Sequence, residues 1–425
     1  MGLVLSIVML SCTKEPTPSE EENNGYQHIH DLLSNKVILD WNFVAFEAAG
    51  GAAEGHALLA SRSNAMMHIA MHDALNAIVP VFQQYAFRQR SNIWTDPIAA
   101  SASAAHTVLK SLWPDSAKML DERLARSLSA VANGAAKTKG IAVGIASGKA
   151  ILAMRAGDGA FLDPIGVIPV STVPGVYNAV PPTPFLFAPF WKTIQTFSLK
   201  RYDQFRSAPP PTLTSEVYTR SFIEVKSVGK LNSTTRTKDQ SAYAKWWYEF
   251  SDIGWNRVAR VKSANDSRKL YTTARMFALL NMAMADGYTA GWDSKFLYNF
   301  WRPYTAIRAA GTDRNEQTIP DESWEPAEPT PPVQDYPSTH CTLGNAAATV
   351  LTNFFGNNSG FSMTSTTAFP AGAIRSFENF IQAANENAES RVKAGIHFRF
   401  ACEAGQKMGD QIGKWTLENQ LKRLH

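Results

Sequence analysis

Three short stretches place cationic and imidazole side chains where they could share one small anion. The first, Trp292 to Pro303 (WDSKFLYNFWRP), sets Lys295 and Arg302 seven residues apart. That is two helical turns, so an unbroken helix would project both cations from one aromatic face. Pro303 marks where such a helix kinks or stops. The second is Tyr336-Pro337-Ser338-Thr339-His340. Ser338 follows a proline and opens a run through Ala347, the place of a helix N-cap. The N–H groups of Thr339 and His340 would then face an oxyanion, with the positive end of the helix dipole behind them. The third, Ser390 to His397 (SRVKAGIH), holds Arg391 and His397 six residues apart, about 120° around a straight helix. Both reach one anion only if the helix bends or ends between them, which Gly395 allows. An isolated Lys/Arg pair reads as a solvated face. Three anion-type motifs in series read as one oxyanion site.

The elements that must position these groups are helical. Apolar periodicity predicts a helix over Trp41 to Val79, ending at Pro80, then helices over Ala99 to Leu112 and Ser116 to Ala156, the latter long or broken near Gly134. Further helices are expected over Ser215–Val228, Ser241–Val258, Asp266–Thr289, Ala346–Phe355, Gly372–Ser390 and Cys402–Leu421. No strand ladder and no hairpin signal stands out. Two segments rich in proline interrupt this pattern, Phe161 to Leu213 and Gly311 to Pro337; loops of that length in a compact domain are functional or wrap another surface. The segment MHIAMHDALNA (Met67 to Ala77) matches LNMAMADGYTA (Leu280 to Ala290) at a constant offset, with Asp73 against Asp286. This weak repeat predicts an all-α protein of two packed helical bundles, a half-bundle at about 26–215 and a catalytic half at about 216–425. His68 and His72 stand at the i, i+4 spacing of a metal-gripping pair, but without the glutamate of H-E-x-x-H and among Met and Ala. They read as packed, hydrogen-bonded helix histidines.

Bulk properties narrow the partners. A net charge of +4 without Lys/Arg blocks points away from nucleic acid. Met1 to Ser11 is an apolar run of signal-peptide length, too short to span a bilayer, that runs into Leu10-Ser11-Cys12. Residues 1–12 are expected to form a lipoprotein-type signal segment ending in a lipidated Cys12, and residues 13–25 a polar tether, with a single domain over 26–425. The expected location is therefore outside the cytoplasm, anchored to a bacterial cell envelope, with membrane contact only through Cys12. Export makes a disulfide between Cys341 and Cys402 chemically allowed; two free buried thiols are the alternative.

Lys-x6-Arg-Pro, Pro-Ser-x-His and Ser-Arg-x5-His, in this order and at these internal spacings, are similar to the signature shared by vanadium-dependent haloperoxidases and type-2 phosphatidic acid phosphatases. The motifs span Trp292 to His397, and similarity extends back through the proline-rich segment from Pro182 to Leu213. The resemblance implies that Lys295, Arg302 and Arg391 neutralise the equatorial oxygens of vanadate or phosphate. Ser338 and the Thr339 amide would add hydrogen bonds, and His340 would be the acid–base group at the apical oxygen. His397 would bond vanadium directly, or attack phosphorus in a phosphatase. Two departures stand out. Thr339 replaces the usual Gly and makes a bulkier wall. Ala401 stands four residues after His397, where many relatives carry an Asp, so His397 needs another orienting partner.

Trp292, which in the haloperoxidase branch lines the cofactor pocket, and the F-W-R-P ending resemble that branch, and the absence of a membrane-spanning run separates the chain from membrane lipid phosphatases. Val333 is a departure, since well-behaved haloperoxidases show an aromatic residue or His there. The resemblance thus implies a vanadate-dependent haloperoxidase taking hydrogen peroxide and a halide, iodide or bromide rather than chloride, with a dimer as one compatible assembly. Phosphate can occupy the same cradle. An exported acid phosphatase working on a phosphomonoester through a phosphohistidine is the alternative, and a catalytically silent exported binding protein the third reading.

Overall fold

The computed structural model describes residues 33–264 and 269–424. The expected signal segment, Cys12 and the tether lie outside the described residues, as does Asp266. Among the described residues, thirteen α-helices carry the fold: α1 (Lys36–Ala48), α2 (Ala57–Ile78), α3 (Pro97–Leu112), α4 (Ala117–Ser129), α5 (Ala135–Met154), α6 (Glu216–Val228), α7 (Lys238–Trp246), α8 (Ser251–Ala264), α9 (Leu270–Tyr298), α10 (Pro303–Arg308), α11 (Thr339–Phe355), α12 (Phe380–Lys393) and α13 (Arg399–Asn419). The all-α expectation holds. Two small antiparallel pairs were not foreseen: β1 (Ile165–Gly166) with β2 (Leu186–Phe187), and β3 (Phe361–Thr364) with β4 (Ile374–Phe377). β4 occupies the first part of the helix expected from Gly372.

Several expected helices are shorter than their periodicity. The run from Trp41 to Val79 breaks where Gly50 and Gly51 take φ of +105° and +61°, values that cost a side-chain-bearing residue far more. The run from Ser116 to Ala156 breaks between Ser129 and Ala135, before an N-cap at Gly134. Ser241 to Val258 divides into α7 and α8. No described helix is long and apolar enough to cross a membrane.

α2 and α9 pack against each other at the centre of one continuous core that draws on both halves of the chain. α9 is buried on all sides from Met276 to Lys295, and small residues let its neighbours approach. A Cβ at Gly287 would stand 3.2 Å from Leu343 of α11, and one at Gly291 only 2.2 Å from Thr339. α9 ends at Asn299, which takes the left-handed conformation of a C-terminal cap. A second, aromatic cluster beneath the motif region includes Tyr218, Phe300, Phe398 and Phe400, the last two stacked at 5.1 Å.

The proline-rich segment 161–213 wraps α9. Phe187 accepts the Trp292 indole N–H at 3.3 Å and donates its own N–H to the Pro332 carbonyl at 2.8 Å. The carboxylate of Asp286 accepts the N–H groups of Phe197, Ser198 and Leu199 at 2.6–2.9 Å. That loop is therefore pinned to the helix that bears Lys295.

Candidate active site

The three cations converge, although not as the spacing suggested. Lys295 sits in the last turn of α9, but Arg302 stands beyond Asn299, in extended backbone at the N-cap of α10. The left-handed turn at Asn299 and the extended backbone after it, not a shared helical face, bring Arg302 near Lys295. Both are fully buried and tie down the strap that leads to α11. Lys295 Nζ donates to the carbonyls of Gln334 (2.5 Å) and Asp335 (3.0 Å). Arg302 Nε donates to the Val333 carbonyl at 2.7 Å and its Nη1 to the Ile396 carbonyl at 2.7 Å. Val333, expected as a departure in side-chain type, thus contributes its backbone.

Ser338 occupies the N-cap position of α11, as its place after Pro337 predicts, but its side chain makes no capping bond. Its Oγ is buried without a well-formed partner, in weak contact with the Cys341 thiol. His340 retains some solvent exposure as a residue while its Nε2 is enclosed and unpartnered. Its ring bonds the Trp247 carbonyl, which also accepts Arg391 Nη2 at 2.9 Å. Arg391 Nε donates to Ser390 Oγ at 3.0 Å. α12 ends at Lys393 and Gly395 takes φ of +79°, the turn that Arg391 and His397 needed.

His397 lies against Arg302, with Nη1 3.0 Å from its Nε2. Its Nδ1 lies 2.9 Å from Asp335 Oδ1. That contact is short but bent, for neither oxygen of Asp335 has a well-aligned hydrogen bond. Asp335 is the functional residue that sequence reasoning missed. It supplies the carboxylate that Ala401 does not, from five residues before His340 instead of four after His397. Its signal was present in Gln334-Asp335-Tyr336-Pro337, an acidic residue just upstream of the Pro-Ser-x-His motif, without anything to say which cation it would meet.

Thr339 makes no bulkier wall than the backbone allows. Its Cγ2 occupies the notch left by Gly291, one turn before Lys295, so the extra side chain is spent on packing α11 to α9. Trp292 turns its indole N–H to Phe187 and stacks edge-on against Tyr288 at 5.7 Å. His68 and His72 are the packed histidines expected: His68 Nε2 lies 2.8 Å from Asn42 Nδ2 and the ring stacks on Phe277, and His72 Nε2 lies 3.0 Å from the Gln83 carbonyl. Cys341 and Cys402 are both free and buried.

The electrostatics match an anion cradle. Burial, then Arg302, push Lys295 well below its usual range, while Asp335 works in the opposite direction. Burial also lowers Arg302 and Arg391. His397 is held well below the ordinary histidine range by burial and by Arg302, Lys295 and Arg391, and His340 by burial and Arg391. Buried cations with mostly carbonyl partners are relieved by a bound anion. Both imidazoles are neutral at neutral pH, so His397 Nε2 has a lone pair to offer and His340 can take up a proton. The unpartnered Ser338 Oγ and His340 Nε2 add a hydrogen-bond donor and an acid–base group. The donor set fits vanadate or phosphate.

The fold is similar to that of vanadium haloperoxidases, and the site gathers the three motifs that resemble theirs. Residues 275–424 match the family model described as the VCPO second helical-bundle domain. The chain is 25% identical to vanadium chloroperoxidase of Curvularia inaequalis, over 94% of this chain and 83% of that protein. In fold it is similar to the first bacterial vanadium-dependent iodoperoxidase, with a TM-score of 0.79 and 24% identity over 91% of this chain and 97% of that one. The holo-type bacterial vanadium-dependent chloroperoxidase superimposes with a TM-score of 0.68 and 15% identity, over 87% and 93% of the two chains.

Proposed function

We propose that the protein is a vanadate-dependent haloperoxidase that uses hydrogen peroxide to oxidise iodide or bromide. The observation that carries this reading is the pairing of buried, carbonyl-bound Lys295, Arg302 and Arg391 with two unpartnered polar atoms, Ser338 Oγ and His340 Nε2. Vanadate, when bound, supplies the Lewis-acid activation of peroxide. The chain's own residues do the rest. Lys295, Arg302 and Arg391 would hold the vanadate oxygens with charge-assisted hydrogen bonds worth roughly 1.5–3 kcal/mol each. Ser338 and the Thr339 amide would orient that group, and neutral His397 would hold it through Nε2, with Asp335 beside Nδ1. His340 would accept and return a proton through its enclosed, unpartnered Nε2. Trp292 holds the Phe187 loop to α9 through its indole N–H.

An iodoperoxidase among the similar folds supports iodide, and bromide is kept from the motif resemblance. The Leu10-Ser11-Cys12 ending supports an exported, lipid-anchored form, which intact mass of the protein from its native host tests. The functional test is vanadate titration of the apo protein with thermal melts, alongside iodide and bromide oxidation and phosphomonoester turnover. Vanadate at a hundredfold over Kd should stabilise the fold by about 2.7 kcal/mol and confer halide oxidation. Turnover of phosphomonoester with no halide oxidation would instead establish the phosphatase reading.

A further inference from the structure

α13 meets α11 along three glycines spaced four residues apart. A Cβ at Gly405 would stand 2.2 Å from the Ser338 carbonyl, one at Gly409 2.1 Å from the Thr342 carbonyl, and one at Gly413 2.8 Å from Thr349. The two backbones therefore approach as closely as helices can. The Ser338 N–H donates to the Ala401 carbonyl at 2.9 Å, so the start of α11 and the start of α13 are fastened together. Cys402 lies three residues before Gly405 on the same face of α13, and Cys341 Cβ lies 3.1 Å from the place of a Gly405 Cβ. The two thiols are free, buried and in weak hydrogen-bond contact with each other, and Cys341 also contacts Ser338. A disulfide needs about 4.4–6.8 Å between Cα atoms, a span that closely packed helices with contacting thiols favour.

We propose that Cys341 and Cys402 form a peroxide-oxidisable dithiol that governs how well the site retains its oxyanion. The proposal rests on the peroxide-using reading above. Peroxide that reaches Ser338 is already beside the Cys341 sulfur. That sulfur attacks one peroxide oxygen; the O–O bond breaks, the other oxygen leaves as hydroxide and takes the thiol proton as water. Cys341 is then a sulfenic acid, oxidised by two electrons. The Cys402 sulfur attacks it, the S–O bond breaks, and the departing hydroxide takes the Cys402 proton. In sum, two thiols and one hydrogen peroxide give one disulfide and two waters. The new bond takes Cys341 away from Ser338 and pins the first turn of α11 to α13. Ser338 and His340 both stand on that turn.

The test uses the full chain, reduced and freed of vanadate, then exposed to hydrogen peroxide without halide. After denaturation and alkylation, peptide mapping should find Cys341 joined to Cys402. Equilibrium dialysis should show the vanadate Kd raised about tenfold, the low end of the effect of losing a contact that supports a ligand. Dithiothreitol should restore it. The double variant Cys341→Ser/Cys402→Ser should bind vanadate like the reduced parent before and after peroxide. Fully alkylatable thiols after peroxide overturn the proposal. So does a disulfide that leaves the Kd unchanged, one that dithiothreitol cannot open, or pairing with Cys12. A reduced parent that retains no vanadate overturns the proposed function instead, because the cross-link is scored without vanadate.

Discussion

The two halves of the chain share a scaffold and only one carries the candidate site. Asp73 on α2 accepts the N–H groups of Tyr85, Ala86 and Phe87 at 2.6–2.8 Å, as Asp286 on α9 accepts those of Phe197, Ser198 and Leu199. The two nests touch, for the Tyr85 hydroxyl donates to the Phe197 carbonyl at 2.8 Å. Trp41-Asn42 on α1 has a counterpart in Trp255-Asn256 on α8. Asn42 Nδ2 donates to Asn256 Oδ1 at 2.8 Å, and each asparagine reaches on to its own half, Asn42 to His68 and Asn256 to Asn281. His68 and Asn281 occupy matching places in the repeat. The halves diverge after the aspartates. α2 ends at Ile78, five residues past Asp73, whereas α9 runs on to Tyr298 and so carries Trp292 and Lys295. The repeat supplies two loop-holding carboxylates; the extension of one copy supplies the site.

The largest effect expected from this division is confined to the C-terminal half. His397→Ala removes the proposed direct ligand, and should abolish vanadate retention together with halide oxidation. His340→Ala should keep vanadate, still held by Lys295, Arg302, Arg391 and His397, while losing turnover by about 10²–10⁴-fold. Vanadate binding and peroxidase rates on both variants check this, and a His397→Ala protein with parental vanadate-induced stabilisation would show the ligand assignment to be wrong.

Next come the aspartates. Asp73→Ala and Asp286→Ala each strand three backbone N–H groups, at roughly 1–3 kcal/mol per buried donor before relaxation, so each should cost about 3–5 kcal/mol by chemical denaturation. Similar losses would support equivalent nests. A gap wider than about 2 kcal/mol would break the comparison.

A pH effect should distinguish the halves, because the α9 counterpart of His72 is Ala285, which does not titrate. Burial lowers His72 to about 4, against an opposing hydrogen bond to Gln83, so the folded state refuses a proton that the unfolded chain takes up below 6.5. Its contribution to stability is present above 6.5 and is lost as pH falls from 6.5 toward 4. His72→Gln should flatten the stability profile in that window by up to ~1.4 kcal/mol per pH unit, seen by urea melts at stepped pH.

The smallest effect belongs to Thr339. Thr339→Gly empties the notch at Gly291 and frees the backbone, and should cost about 1–2 kcal/mol with vanadate affinity nearly unchanged. A larger change in vanadate Kd than in stability would mean that the Thr339 side chain faces the anion.

Much of this was legible in residue order. Helical periodicity, the Asp73/Asp286 repeat and three motifs with fixed internal spacing are local properties, since amphipathic period and short anion-binding turns depend on residues near in sequence. Gly395 also announced the bend that Arg391 and His397 require. Tertiary structure decided the rest. Lys295 and Arg302 meet because α9 caps at Asn299 and the backbone then runs extended, not because seven residues make two turns. Asp335 reaches His397 across 62 positions of sequence, a pairing that no local pattern encodes. Thr339 fits because Gly291 on another helix lacks a Cβ. The physical reason is common to all three: hydrogen-bond partners and packing notches are matched through space between distant elements, and sequence order carries the residue types without the distances that pair them.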